Sequence, residues 1–373
     1  MKIDGTRQAV MSWYGNFIRP ILFQLDPEWI HNATIRSGEL IGNYSFLLKQ
    51  LDRRFRVDDP KLEMKVAGLT FSNPVGLAAG FDKNGKAVRG LSAFGFGSVE
   101  VGSVSAQASE GNPRPRLFRL LKDEAIVVSY GVPNEGAAVV SERLSSAALD
   151  IPLGVNLVET NTGREASADL VIEEFVTAAK KFVGVADYLT LSLNCPNTTA
   201  GGSVFDDPKV LGILMQEYRN LANLPPVFLK FTATSDNQRI NGILEAVANH
   251  PFIKGFIFNL PSGKNYSLNT PQEELDRMPG ALCGRPSREM MDDAVKTWFP
   301  LIDPSRHVIM GSGGIFTADD AYRKIKLGAS LLQLYTALVF HGPGLIRKIN
   351  EGLCERLERD GYSHLSEAVG TGL

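Results

Sequence analysis

The chain has 373 residues, enough for one large barrel plus a small appendage, and at 44% hydrophobic and 21% charged it has the composition of a soluble globular protein. A formal charge of −2 leaves no bulk positive field to recruit nucleic acid. Three cysteines, Cys195, Cys283 and Cys354, are too few and too scattered for a disulfide framework or a zinc site, and they point to a reducing compartment.

The opening MKIDGTRQAVMSWYGNF lacks the continuous apolar core of a signal peptide. No uncharged apolar run reaches the ~18 residues that a bilayer span needs, so an intracellular protein is expected. Residues 1–50 are helical in pattern, with Trp13, Tyr14, Phe17, Ile18, Ile21, Leu22 and Phe23 crowded together and Trp29, Ile30, Ile35, Leu40 and Ile41 after them. Two short amphipathic helices of this kind either lie at a membrane surface or pack on the main domain as an extension of its core. The charged stretch Leu51–Pro60 reads as a linker, and Leu62–Phe71 (LEMKVAGLTF) as a hairpin around Ala67 and Gly68 that closes a barrel floor. Residues 51–72 thus connect the extension to a main domain at 73–350, and 351–373 read as a C-terminal tail.

Eight short apolar runs follow, most rich in β-branched residues: Val75–Ala79, Ser98–Val104, Leu153–Val158, Tyr188–Leu193, Val227–Phe231, Gly255–Leu260, His307–Gly311 and Leu331–Tyr335. Between most of them lie segments with helical spacing, such as Ala168–Val183, Lys209–Asn220, Gln238–Ala248, Arg288–Trp298 and Ala318–Leu327. Apolar runs that do not alternate suggest strands buried on both faces, as in a parallel sheet covered by helices. Eight such units predict an α/β chain folded as a (β/α)8 TIM barrel, with an open doubly wound sheet as the alternative.

In such a barrel the functional groups sit at the C-terminal ends of the strands. Read in order, those ends are Ala79-Gly80-Phe81-Asp82-Lys83, Ser103, Asn156, Asn194-Cys195-Pro196-Asn197, Lys230, Asn259, Gly313-Gly314 and Tyr335-Thr336. Two lysines, several amides, a thiol and paired glycines suit an anionic, hydrogen-bonding ligand. The five histidines show no ligand spacing, so no metal is expected. The turn Gly311-Ser312-Gly313-Gly314-Ile315 follows the seventh run and precedes a helix near Thr317, where backbone N–H groups and the helix dipole favour a phosphate. A plain tight turn is the other reading of that segment.

Several motifs, NPVGLAAGFDKNG (73–85), GFGSVEVGSV (95–104), GNPRPRLFRL (111–120), GSGGI (311–315), GASLLQLYTALVF (328–340) and GPGL (342–345), resemble the dihydroorotate dehydrogenase family. YGNFIRPILFQLDPEWIHN (14–32) is similar to the helical extension of its class 2, quinone-using members. The resemblance covers roughly residues 14–350. It implies an FMN-dependent enzyme in which a base takes a proton from C5 of dihydroorotate while C6 gives hydride to flavin N5. Quinone, reached through the N-terminal helices at a membrane, is the implied electron acceptor. It further implies that FMN contacts Ala79, Gly80, Ser103 (where threonine is usual), Asn156, Lys230, Gly284, Gly313, Gly314, Tyr335 and Thr336. Lys230 would place positive charge near the N1–C2=O edge of the flavin, and Lys83 would bind an anionic group of the substrate.

The chain departs from that family in two places. Where class 2 members carry a serine base, Cys195 stands before Pro196-Asn197, as in the soluble class 1 relatives. A thiol ionises near pH 8.5, far closer to neutrality than a hydroxyl, and so needs less help to accept a proton. A buried, inert cysteine is the bland alternative; Cys283 and Cys354 read as structural. The substrate amides are mostly gone as well: Asn-Arg-(Met/Tyr)-Gly-Phe-Asn is Val128-Ser129-Tyr130-Gly131-Val132-Pro133, Ser192 replaces an asparagine, and Thr-Asn-Thr reads Asn259-Leu260-Pro261. Asn197 keeps its register, Asn259 could serve after a one-residue shift, and Lys83, Tyr130 and Ser192 complete the candidate substrate side. Three functions remain open: an oxidoreductase of this type with a changed substrate, a true dihydroorotate dehydrogenase of pyrimidine biosynthesis with a rebuilt pocket, and a non-catalytic FMN-binding protein.

Overall fold

A computed structural model describes residues 14–194 and 203–373. Eight parallel strands close into a barrel in chain order: strand one Val75–Leu77, two Ser98–Val104, three Leu153–Leu157, four Tyr188–Ser192, five Val227–Thr232, six Ile253–Asn259, seven Val308–Ser312 and eight Ala329–Leu334. Strand eight returns to strand one with Gln333 opposite Gly76, which closes the sheet and excludes the open alternative. Each strand falls on one of the eight apolar runs. Strands one, three, four and eight are buried at every position, which is why their sequences do not alternate.

The covering helices are amphipathic in the ordinary way. In Ala168–Phe182, the buried residues Val171, Ile172, Phe175, Ala178, Ala179 and Phe182 recur at three- and four-residue steps. Ser167 caps its first turn by accepting from Leu170 N at 3.4 Å, and Gly184 at φ +75° turns the chain out of it.

At the floor, Met64–Val66 and Leu69–Phe71 form an antiparallel hairpin whose turn residues, Ala67 and Gly68, both have positive φ. Phe71 is fully buried and its ring lies 6.5 Å from Tyr188, which in turn meets Phe228 edge-on at 5.4 Å. Tyr188 also explains Gly154 on the neighbouring strand, where a Cβ would stand 2.2 Å from the tyrosine ring.

Above the barrel, three short strands that the sequence pattern did not reveal, Leu117–Leu120, Ala125–Val128 and Ala281–Gly284, pair as a small antiparallel sheet. They lie in the excursions after strands two and six, and they carry Tyr130 and Gly284 to the barrel mouth.

The N-terminal segment consists of a π turn Tyr14–Ile18 and helices Arg19–Leu22, Pro27–Gly42 and Ser45–Phe55, so Leu51–Phe55 of the charged stretch is helical. Asp26 accepts from Trp29 N at 2.8 Å and Pro27 opens the long helix. That helix crosses Val88–Ser92 through small residues: a Cβ on Gly90 would come within 2.1 Å of the Gly38 carbonyl. Its inner face is also pinned by Glu28, which accepts from Arg116 at 2.9 Å in a buried ion pair. Across the N-terminal segment, Phe17, Ile21, Trp29, Leu40, Tyr44 and Phe46 are at least 59% exposed. The extension therefore both packs on the barrel and presents apolar surface. No helix among the described residues is long and apolar enough to cross a membrane.

Candidate active site

A cavity of about 250 Å3 opens at the C-terminal ends of the strands. Ala79 and Gly80 after strand one, Ser103 on strand two and Lys230 on strand five line it together with Gly313, Gly314, Tyr335 and Thr336 from the last two units. Gly284 enters from the small sheet, and Lys83, Tyr130, Ser192 and Asn259 line the same cavity, Ser192 beside Lys230 in the strand register and Lys83 against Gly80 O. Cys195 and Asn197 lie outside the described residues.

Asn156 sits one layer deeper. It is fully buried, its Oδ1 accepts from Ser103 Oγ at 2.7 Å, and its Nδ2 donates to Glu100 Oε1 at 2.9 Å. Glu100, also fully buried inside the barrel, accepts on Oε2 from Thr190 Oγ1 (3.0 Å) and Gln333 Nε2 (2.7 Å). Three donors from three strands thus satisfy one buried carboxyl group. Gln333 keeps a buried Oε1 with no partner among the described residues, and the residue lines the cavity. Sequence reasoning missed Glu100 and Gln333; the available signal was a lone acid among the valines of SVEVGSV.

The glycine turn borders the cavity and packs closely against the neighbouring unit. Gly313 and Gly314 have φ +74° and +68°, and a Cβ on Gly314 would stand 2.4 Å from Arg288 Cα. Thr317 and Asp320 cap the following helix, Ala318–Lys326, reciprocally. Arg288 at 3.3 Å and Arg323 at 3.2 Å offset the Asp320 charge. Cys283 also faces the cavity: its thiol receives Thr336 Oγ1 at 3.3 Å, and burial pushes it up to about 11, so it stays protonated at neutral pH. Cys354, half-buried, is likewise pushed up to about 12, first by burial.

On the substrate side, the Lys83 ammonium donates to Gly80 O at 2.9 Å, lies 3.2 Å from His31 Nε2 and sits 4.0 Å over the Tyr130 ring. The Arg116 guanidinium lies 5.1 Å from the same ring. Lys83 is half-buried, and burial lowers its ammonium to about 8 against the opposing pull of Asp82. Burial, then the Lys83 charge, holds His31 well below the ordinary imidazole range, so a neutral ring faces a charged lysine. Nothing local in the sequence marks His31, which is 52 residues from its partner. The rest of this wall is apolar where amides were expected from the family pattern: Val128, Val132, Pro133 and Leu260 face the cavity. Asn259 Nδ2 is already engaged, donating to Asn194 O at 2.7 Å and to Ser192 Oγ at 3.3 Å.

A second, more apolar cleft of about 210 Å3 lies between the N-terminal helices and the barrel, walled by Leu22, Phe23, Ile30, Phe81 and Leu338 among others. Arg119 and His31 are polar groups on its wall, and Tyr335 borders both this cleft and the first cavity. Tyr14 Oη donates to Val339 O at 2.8 Å, tying the π turn across the cleft to the last helical unit of the barrel.

Comparison with known proteins places this geometry. The family model described as dihydroorotate dehydrogenase matches residues 61–357. A dihydroorotate dehydrogenase (quinone) from a Nitratiruptor species is 36% identical over 354 residues, covering 95% of this chain and 97% of that protein. One from Halobacterium salinarum is 36% identical over 365 residues, covering 96% and 100%. Among solved structures, ligand-free DHODH from Eimeria tenella superposes with a TM-score of 0.75 at 28% identity, covering 87% of this chain and 97% of that one. The same organism's DHODH in complex with ferulenol gives 0.74 at 27% identity, covering 93% and 95%.

Proposed function

The chain belongs to the dihydroorotate dehydrogenase family of FMN-dependent oxidoreductases acting on CH–CH groups, and on that premise we propose that it oxidises or reduces a C–C bond of an anion less polar than dihydroorotate. The observation that carries this reading is the contrast between two sets of residues lining one cavity. Ser103, Lys230 and the Gly313–Gly314 turn are of the kind that a flavin mononucleotide calls for, while Val128, Val132, Pro133 and Leu260 stand where the family pattern has polar groups for the substrate.

The residues suit the flavin. The glycine turn would take its phosphate, Lys230 would place a cation beside the ring, and Gln333 Oε1, without a partner among the described residues, would accept from a ring N–H. Bound there, FMN supplies a hydride acceptor. Cys195 is the proposed base, taking the proton from the carbon next to the one that gives up hydride. Lys83 holds the substrate's anionic group, with Tyr130, Ser192 and Asn259 lining the same cavity; Asn197 is proposed from the sequence alone as a further contact. Each hydrogen bond lost from the amide ring is worth roughly 0.5–1.5 kcal/mol, and each polar atom of dihydroorotate buried without a partner costs about 1–3. Two or three such losses amount to about a hundredfold or more in affinity.

The apolar cleft beside Tyr335 suits a quinone as electron acceptor, and the exposed aromatic residues of the extension suit peripheral contact with the membrane that carries it. Anaerobic titration of the yellow protein tests the substrate: slow or absent bleaching by dihydroorotate, with bleaching by a less polar cyclic acid, is the expected result. Complete, rapid bleaching at micromolar dihydroorotate would favour the second reading, a dihydroorotate dehydrogenase with a rebuilt pocket, to which the names of the relatives point.

A further inference from the structure

The inference here rests on the reading of the cavity as a flavin mononucleotide site, and it concerns four residues that neither the glycine turn nor the substrate wall requires. Beside Gly313 and Gly314, the cavity is walled by Phe316, which is 3% exposed. The turn itself has no need of a ring at that position: its φ values come from the glycines and its helix is capped by Thr317 and Asp320.

The ring is gripped from outside. The Arg285 guanidinium carbon lies 4.5 Å over it. His341 meets it edge-on, centroids 5.7 Å apart with the planes at 81°. Both grips converge on one carboxylate: Arg285 Nε donates to Glu124 Oε2 at 2.5 Å, and His341 Nε2 lies 3.0 Å from Glu124 Oε1. The backbone fixes the meeting point as well. Glu124 takes a left-handed φ of +44°, and its carbonyl accepts from Arg285 N at 3.2 Å.

The trio comes from three separate segments: the turn before Ala125–Val128, the turn after Ala281–Gly284, and the end of the Thr336–His341 helix. Their side chains are 27%, 37% and 30% exposed in that order, so they form an outer layer, with the Phe316 ring inside it and the cavity behind the ring. A ring covered on its face by a guanidinium that Glu124 holds, and met at its edge by His341, cannot swing outward unless these groups move.

We propose that Glu124, Arg285 and His341 latch Phe316 shut over the phosphate end of the cofactor site, making these four residues the set that retains FMN. They are positioning residues, and the readout is release of the cofactor, independent of turnover. Holoprotein is diluted into buffer and the return of free FMN fluorescence is followed for wild type, Phe316→Ala, Arg285→Ala and Glu124→Gln. Arg277→Ala serves as control, since it breaks an exposed ion pair with Glu273 elsewhere. Release at least tenfold faster in Phe316→Ala and at least threefold faster in Arg285→Ala and Glu124→Gln, with Arg277→Ala unchanged, is expected. The latch contains an ion pair that solvent still reaches in part, so release should also quicken with salt in wild type and lose that dependence in Arg285→Ala. Wild-type release rates in Arg285→Ala and Glu124→Gln overturn the latch, even if Phe316→Ala releases quickly. Those two substitutions lie in the outer layer, so the test stands if Phe316→Ala does not fold. A wild-type protein that never takes up FMN removes the cofactor reading itself, a result distinct from a failed latch.

Discussion

His31, on a helix outside the barrel, lies 3.2 Å from the Lys83 ammonium and shares that contact with the Gly80 carbonyl at 2.9 Å. The pair joins the two clefts, because His31 borders the one under the N-terminal helices and Lys83 the one at the strand ends. With the imidazole held neutral, the one positive charge belongs to the lysine.

The pH dependence of substrate binding follows from that charge. Lys83 is lowered to about 8 by burial, with Glu28, His31, Asp82, Arg116 and Tyr130 around it. Anion affinity should be constant below pH 7, halve near pH 8 and then fall about tenfold per pH unit, since only the ammonium attracts the anion. The sign is opposite to that for a carboxylate, which would gain charge as pH rises. Dissociation constants of an acid that bleaches the flavin, measured from pH 6.5 to 9.5, test this, with Lys83→Met as the flat reference. A flat wild-type profile would remove Lys83 from the anion site.

Replacing the proposed base should separate chemistry from cofactor binding. Cys195→Ala is expected to keep its yellow colour and lose about 10²–10⁴ in the rate of flavin reduction by substrate, the usual worth of general base catalysis. Cys195→Ser should be intermediate and should reach its best rate at higher pH. Stopped-flow absorbance of the flavin gives both numbers. An unchanged reduction rate in the alanine variant would show that another group takes the proton.

The barrel strands were legible because burial on both faces writes itself into sequence as continuous apolar runs, and Val75–Leu77 or Ala329–Leu334 could hardly be read otherwise. The residues at the strand ends were legible for the same reason, since a lysine in VFLKFT or a Gly-Gly pair after an apolar run has few structural explanations. What stayed hidden depends on contacts between distant segments. The small sheet is built from four-residue strands whose partner, Ala281–Gly284, lies more than 150 residues downstream. His31, Glu124 and His341 carry no local pattern at all; each gains its meaning only when the fold brings its partner within reach.

Glu100 offers a test of stability as well as of the site. Its carboxylate satisfies Asn156, Thr190 and Gln333, and through Asn156 it orients Ser103 at the cavity. Glu100→Gln keeps the volume but turns an amide N–H₂ toward buried donors, and should cost about 1–3 kcal/mol for each donor left without an acceptor. Urea unfolding measures the loss, and FMN titration of the apoprotein should show weaker binding in the same variant. Wild-type stability would mean that water replaces the lost acceptor.

The apolar cleft can be filled without touching the first cavity. Thr34 borders it from the Pro27–Gly42 helix, where its hydroxyl only bonds back to Ile30 O at 2.9 Å, and it does not line the cavity beside the glycine turn. Thr34→Trp adds an indole to a space of about 210 Å3, roughly the volume of several water molecules. Reduction of the flavin by substrate should proceed at the wild-type rate, because Lys83 and the strand-end residues are unchanged. Reoxidation by a soluble quinone should slow at least tenfold, since the acceptor would have to displace the indole to reach Tyr335. Single-turnover absorbance measurements of the two half-reactions separate these effects. Slowing of both halves alike would point to a displaced N-terminal helix, and slowing of neither would place the acceptor elsewhere.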